Sequence, residues 1–287
     1  MTKTLNINGR LLDLSTPAVM GILNVTPDSF YSGSRKQTEQ EIDERIGRIL
    51  DEGGAIIDVG GYSSRPDAAD IPADEEMARL RPALELLQRH YPGVPVSVDT
   101  FRAGVARTCV EAYGVGMIND ISGGEMDAEM TDTVAALQVP YILMHMKGTP
   151  QTMTKQTGYR DMIGEMMLYF SQKVRELHLR GVADVIIDPG FGFSKTAEQN
   201  YFLMNKLSEF TLFGLPLLVG VSRKRMIYRL LGGTPDESLN GTTVLHTVAL
   251  QQGADILRVH DVKAAVETVK IVTELKKNRD VCGCISE

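Results

Sequence analysis

Eight short apolar runs recur along the chain, each followed by a longer stretch. They are VMGILNV (19–25), AIIDVGG (55–61), VPVSVDT (94–100), GMINDISG (116–123), YILMHM (141–146), DVIIDPG (184–190), LLVGVS (217–222) and ILRVHD (256–261). They lack the apolar–polar alternation of a half-exposed strand, which suits parallel strands covered on both faces. Eight strand–helix units of about 36 residues match an α/β (β/α)8 TIM barrel. A doubly wound open sheet would place a glycine-rich fingerprint after its first strand, and the segment after Val25 lacks one. Ahead of the first run, LNINGRLLDL sets Asn8-Gly9 between apolar flanks. That pattern predicts a β-hairpin, placed to close the barrel floor.

The intervening segments read as helices. Thr38 followed by Glu41 predicts a capping box, Ile42, Ile46, Ile49 and Leu50 one apolar face, and Gly53 a C-terminal stop. Asp74 is placed to cap a second helix, which Pro82 should kink or restart. Residues 160–180 carry Ile163, Met167, Phe170, Val174 and Leu177 at helical spacing, with the methionines read as core filling. The last helix, after Asp261, carries Val266, Val269, Val272 and Leu275.

With 43% apolar residues over 287, the chain can bury a large core. No linker divides it, so residues 1–278 are expected to form one domain and 279–287 a disordered tail. A net charge of −7 argues against a general nucleic-acid or anionic-membrane partner. MTKTLNINGRLLDL shows no apolar signal-peptide region, and no run is long enough to span a bilayer. Of the three cysteines, Cys109 sits in a helical pattern as a small buried residue, and Cys282 and Cys284 read as a frayed tail. A reducing cytoplasm is the expected setting.

The active site of such a barrel lies at the carboxyl ends of its strands. There stand Asn24, Asp58, Asp99, Asn119, Asp120, His145, Asp188, Ser222-Arg223-Lys224, and Arg258 with His260. Asp99, Asn119 and Asp188 offer acceptors plus one amide, suited to the aminopyrimidinone edge of a flat heterocycle. Lys224, Arg258 and His260, with Ser222, read as a cationic cluster after the seventh and eighth strands, where this fold commonly holds phosphate. Arg65 and Phe193 lie on glycine- or proline-punctuated loops that could cover a second ligand. His145 and His246 read as structural. For Asp58 and Asp120, substrate contact and loop holding both stay open.

"GILNVTPDSF", "GGYSSRP", "SVDT", "INDISGG", "MHMKGTPQTM", "IDPGFGF", "GVSRK" and "RVHDV" resemble the dihydropteroate synthase family in order and spacing, over roughly residues 5–277. The resemblance implies a (β/α)8 barrel, usually a homodimer. It implies condensation of 6-hydroxymethyl-7,8-dihydropterin diphosphate with 4-aminobenzoate to give 7,8-dihydropteroate and diphosphate, with magnesium as cofactor. Carried over by position, Asp99, Asn119, Asp188, Lys224, Met144 and Gly220 hold the pterin. Asn24, Ser64, Arg258 and His260 hold the diphosphate, and Asn24 the magnesium. Arg65, Pro66, Phe193, Lys224 and Arg225 frame the aminobenzoate. Thr26, Pro27, Asp28, Ser29 and Phe30 belong to a loop that folds over the site. Lys224, Asp99, Asp188 and Asn24 are the catalytic set.

Three departures stand out. Ser32 replaces an aspartate common in relatives, which removes a carboxylate that a cationic intermediate could use. Tyr62, Ser64 and Asp67 alter "GGESTRPGA", and Arg225 replaces the serine of "SRKS". The rival readings are a methyltransferase acting on methyl-tetrahydrofolate, which shares the pterin barrel, and a non-catalytic pterin-binding paralogue.

Overall fold

The computed structural model describes residues 3–26, 35–65 and 68–278. Strands β1 (Thr4–Ile7) and β2 (Arg10–Asp13) form an antiparallel hairpin turned by Asn8 and Gly9, both at positive φ (52° and 79°). That is the pairing a two-residue turn of the primed type requires. Eight parallel strands follow: β3 (Ala18–Asn24), β4 (Ile56–Gly60), β5 (Val96–Asp99), β6 (Met117–Asp120), β7 (Tyr141–Met144), β8 (Val185–Asp188), β9 (Leu218–Val219) and β10 (Ile256–Val259). Their order is β8-β7-β6-β5-β4-β3-β10-β9, and a parallel bridge between Ile187 and Leu217 joins the two ends into a barrel. Around it run α1 (Arg35–Asp51), α2 (Ala73–His90), α3 (Ala103–Tyr113), α4 (Met130–Leu137), α5 (Met162–Leu179), α6 (Ala197–Asn205), α7 (Arg225–Leu231), α8 (Leu239–Gln251) and α9 (Val262–Lys277). Among the described residues no helix is long and apolar enough to cross a membrane.

Side chains alternate across each strand, so the barrel carries two cores. Val19, Leu23, Ile57, Val59, Val98, Ile118, Leu143, Ile187, Val219 and Leu257 point outward and pack beneath the helices. Met20, Ile56, Met117, Ile142, Ile186, Leu218 and Ile256 point inward and fill the lower barrel. Leu5, Ile7 and Leu14 join that inner cluster. The hairpin therefore plugs the floor, as its position ahead of the first barrel strand implied. Two residues further along, the same inward parity brings polar side chains to the upper rim.

Several helix details differ from the sequence reading. Helix α1 already begins at Arg35, so Thr38 lies inside it and does not start it; Arg35, Lys36 and Gln37 are good helix formers. Asp74 falls in the first turn of α2, behind Pro72, where its charge meets the helix dipole without capping by hydrogen bond. The helix passes through Pro82 as one run of 18 residues; the tertiary packing of Leu80, Ala83, Leu84 and Leu87 outweighs the one missing backbone bond. In α5 Phe170, Val174 and Leu177 are buried as expected, while in the first turns Met162 and Met166 are inside and Ile163 and Met167 partly covered. Leu275 of α9 is 56% exposed, whereas Val269 and Val272 are buried. Cys109 is buried and free, and burial pushes its thiol up to about 12.

Leu5 is fully buried between the hairpin and the lower barrel. Leu5→Ala is expected to lower unfolding stability by about 2–4 kcal/mol through the cavity it leaves. Urea denaturation measures this; a loss below about 1 kcal/mol would mean that the floor is held by other contacts.

Candidate active site

The upper inward layer gathers Asn24 of β3, Asp58 of β4, Asp99 of β5, Asn119 of β6, Met144 of β7, Asp188 of β8, Gly220 just after β9 and Arg258 of β10. Asp58, Asn119, Met144, Asp188, Gly220 and Arg258 each follow a floor residue of their own strand by two positions, and Asn24 follows Met20 by four. Arg258 crosses the mouth: its Nε donates to Asp58 Oδ2 at 2.6 Å and one Nη to Asp99 Oδ2 at 2.7 Å. Asp58 Oδ2 also accepts from Asn119 Nδ2 at 3.0 Å. With its amide nitrogen so engaged, Asn119 turns its carbonyl oxygen to the mouth. Asp58 is fully buried, and its Oδ2 orients both Asn119 and Arg258.

Burial raises the Asp99 carboxyl to about 7 against the opposing pull of Arg258. Burial likewise raises the Asp188 carboxyl, opposed by Lys224 and by the Gly190 N–H, which donates to Asp188 Oδ1 at 2.8 Å. Lys224 is lowered by burial to about 8, with Asp188 opposing. Its ammonium donates to the Phe191 carbonyl and lies 4.8 Å from the centre of the Phe193 ring. A side chain at Gly220 would come within 4.0 Å of Lys224 Nζ and 3.9 Å of Arg258 Cβ. The bare glycine thus leaves room between the two cations. Gly60 does the same between Asn24 and Asp99.

Of the residues expected to form a cationic cluster, Lys224, Arg258 and His260, Arg258 is balanced by two carboxylates of the acidic layer. Burial, then the charges of Arg258 and Arg223, hold His260 down at about 4, so its ring is neutral at pH 7. Its Nδ1 lies 3.1 Å from Ser222 Oγ, which accepts from the His260 N–H. Arg223 is committed to Asp261 and Asp236.

The peripheral positions are less gathered. Ser64 is half-buried and Arg65 exposed on the loop after β4; Arg225 is exposed at the first turn of α7. Thr26 is described, but Pro27, Asp28, Ser29, Phe30, Ser32, Pro66 and Asp67 lie outside the described residues, as do Cys282 and Cys284. Tyr62 is edge-on to Phe101 at 5.0 Å, and its hydroxyl meets Gln151 at 2.9 Å and Asp70 at 3.2 Å. The tyrosine therefore links the loops after β4, β5 and β7.

Parity also separates neighbours. Asp120 points outward and accepts from the Ser122 N–H and hydroxyl, the Gly124 N–H and the Tyr141 hydroxyl, so it holds a turn and not a ligand. His145 is buried; desolvation, then Lys195 and Lys147, press it to about 2. His246 is buried in α8 and held at about 4 by desolvation. Lys195, absent from the sequence reading, is buried beside His145 and lowered by burial to about 7. Its one signal was a lysine closing the otherwise uncharged "GFGFS".

This geometry belongs to a known class. The family described as "Pterin binding enzyme" matches residues 20–260. The chain is 41% identical over 266 residues to the dihydropteroate synthase of Escherichia coli K12, covering 92% of this chain and 93% of that one. The structure of Xanthomonas albilineans dihydropteroate synthase with 4-aminobenzoic acid superposes with a TM-score of 0.89 at 37% identity, covering 96% of this chain and 99% of that one. Yersinia pestis dihydropteroate synthase, solved with a sulfonamide drug complex, superposes at 0.87 with 39% identity, covering 96% and 100%. The fold and its polar rim define a barrel of the pterin-binding class. Within that class the chain belongs to the dihydropteroate synthase family.

The neutral histidines make stability depend on pH. His145, His246 and His260 have folded values of about 2, 4 and 4, below the ordinary 6.5. Between pH 6.5 and 4 these rings bind protons in the unfolded chain that they do not bind in the folded one, so the stability they contribute is full above 6.5 and falls as pH falls. Each ring contributes up to about 1.4 kcal/mol per pH unit in that window. Urea unfolding at pH 7 and pH 5 measures the slope, and His246→Gln should make it shallower. An unchanged slope in that variant would exclude His246 from the effect.

Proposed function

We infer that the chain condenses 6-hydroxymethyl-7,8-dihydropterin diphosphate with 4-aminobenzoate, giving 7,8-dihydropteroate and diphosphate for folate synthesis. The observation that carries this is the layer of half-buried Asp99 and buried Asn119 and Asp188 under Lys224 in one barrel mouth. Two carboxylates and one outward-turned amide oxygen meet the donor edge of a pterin ring, and Lys224 meets its acceptors. The relatives' names agree, and the rival methyltransferase would need no diphosphate site. The sulfonamide bound to the Yersinia relative makes this chain a candidate target of the same drug class.

The reaction is a substitution of dissociative character at the pterin methylene. The C–O bond breaks with its electron pair leaving on diphosphate, while the electron-rich dihydropterin bears the developing cation. The arylamine lone pair then forms the C–N bond, and the nitrogen gives its surplus proton to solvent. That amine is a free base at neutral pH, so its attack needs no strong general base. Asp99 and Asp188 hold the ring and oppose the cation's charge. His260 offers hydrogen bonds to diphosphate with Ser222 and Ser64.

Magnesium fits this mouth with a single protein ligand. Among the described residues no group of three acidic, histidine or cysteine side chains could hold a metal. Asn24 ends β3 with its amide oxygen over the bare Gly60, a hard oxygen of the kind that ion uses alongside substrate phosphates. Asn24 would hold the ion there with diphosphate, where it would supply neutralisation of leaving-group charge.

Two further features support a homodimer in a reducing cytoplasm. Cys109 is a free buried thiol. Apolar side chains stand exposed on α7, α8 and α9: Leu230, Leu231, Val244, Ile271 and Leu275. A face of that kind is suited to a second copy. Sedimentation velocity should give a dimer for the wild type and a monomer for Ile271→Glu; a monomeric wild type overturns the assignment.

Turnover of the two purified substrates to dihydropteroate tests the activity, and no product would sink it. Arg65 and Phe193 lie on connections rather than strands, so the aminobenzoate site is completed by the first substrate. A small ligand would otherwise carry the ordering cost of those loops alone. Aminobenzoate affinity should therefore rise at least tenfold, about 1.4 kcal/mol, with saturating magnesium diphosphate. Equal affinity with and without it rules out the ordered scheme.

A further inference from the structure

We propose that Lys195 is a positioning residue for the arylamine half of the reaction, holding the Phe193 backbone so that its ring stays against Lys224. The inference rests on the reading that Phe193 frames aminobenzoate. The loop from Pro189 to Lys195 joins β8 to α6 without regular structure. It contains Gly190, Gly192 and Ser194 at φ of 70°, 82° and 47°. A backbone that turns in this way has no ladder to receive its carbonyls, and buried carbonyls need donors.

Two lysines supply them from opposite sides. Lys224 donates to the Phe191 carbonyl. Lys195 Nζ donates to the Gly190 and Phe193 carbonyls, each at 3.0 Å, and reaches the His145 carbonyl at 3.4 Å. The same nitrogen lies 3.2 Å from His145 Nδ1, which accepts because that ring is neutral. Lys195 is 8% exposed and makes no carboxylate contact among its hydrogen bonds. An ammonium buried in a cage of carbonyls is costly to keep, and an apolar chain of similar length would fill the same space. Its retention points to the atoms it holds.

Those atoms bear unequally on the two substrates. Asp188 ends β8 and is anchored there by the His145 N–H on its carbonyl at 3.0 Å and by the Gly190 N–H on its side chain. Phe193 packs against the cluster of Phe101, Ile121, Met144, Met146 and Met153. Its N–H donates to the Gly190 carbonyl at 3.1 Å and its carbonyl accepts from Lys195. Both backbone links end on atoms that Lys195 holds. Removing the ammonium acts on Phe193 directly, and on Asp188 only through Gly190 and His145, whose N–H bonds to it do not involve the lysine.

Lys195→Met tests this by steady-state kinetics. The KM for aminobenzoate should rise about tenfold, with kcat changed less than about threefold. The dissociation constant of the pterin diphosphate, by calorimetry, should stay within about twofold. A double-mutant cycle with Phe193→Ala should find the double variant no worse for aminobenzoate than Phe193→Ala alone. A wild-type KM in folded Lys195→Met, losses that multiply in the double variant, or equal losses for both substrates would overturn the proposal. Should Lys195→Met fail to fold, Lys195→Gln carries the same cycle with a shorter donor. A wild type without turnover would sink the activity instead, and aminobenzoate dissociation constants with magnesium diphosphate then read the cycle.

Discussion

Alternation of side chains along eight parallel strands is the constraint on which the rest depends. In a closed barrel every second residue faces a space that side chains must fill. Below, that space is apolar and sealed by Leu5, Ile7 and Leu14 of the hairpin. Two residues further on, the inward positions are Asp58, Asp99, Asn119, Asp188 and Arg258. The outward positions beside them are apolar under the helices, apart from Asp120. One geometric rule thus places the core and the polar mouth, and the mouth inherits the rigidity of the strands.

That mouth is charged and largely buried, which a protein tolerates only when the charges are paired. Arg258 binds Asp58 and Asp99, and Lys224 faces Asp188. Buried pairs add little net stability, but removing one partner leaves the other uncompensated. Their value here is orientation. Asp58 turns the Asn119 amide, Arg258 spans the mouth, and donors and acceptors stand in place before a ligand arrives. Loops on the rim have the opposite character. Arg65 and Arg225 are exposed and the Phe193 loop is held by lysine ammonium groups, a division suited to one substrate read by rigid strands and another enclosed afterwards.

The eight strands and the Asn8-Gly9 hairpin were legible because apolar runs and turn residues act locally. Helix starts were less so. Thr38 and Asp74 have capping chemistry, yet α1 and α2 begin earlier, since strong helix formers upstream and packing compete with a cap. Pro82 read as a break, but a long amphipathic helix on a barrel keeps its axis when the buried face supports it. At the site, Asp99, Asn119, Asp188 and Lys224 were visible as strand-end polar residues, while the charge of His260 was misread. A histidine's protonation depends on its burial and on Arg258 nearby, neither of which is a property of its local sequence.

By itself the sequence determined the barrel, its direction and the end at which the chemistry gathers, because hydrophobic period and strand–helix alternation are written residue by residue. Only the tertiary structure decided which polar neighbours enter the mouth. Asn119 faces in and Asp120 faces out, although they are adjacent, because a strand sends consecutive side chains to opposite faces and the register of the closed sheet chooses which face is inside. The structure alone also brought Asp58 to Arg258, 200 positions apart, and Lys195 to His145, 50 apart. Such pairings depend on closure of the sheet and on burial, and no local pattern carries either.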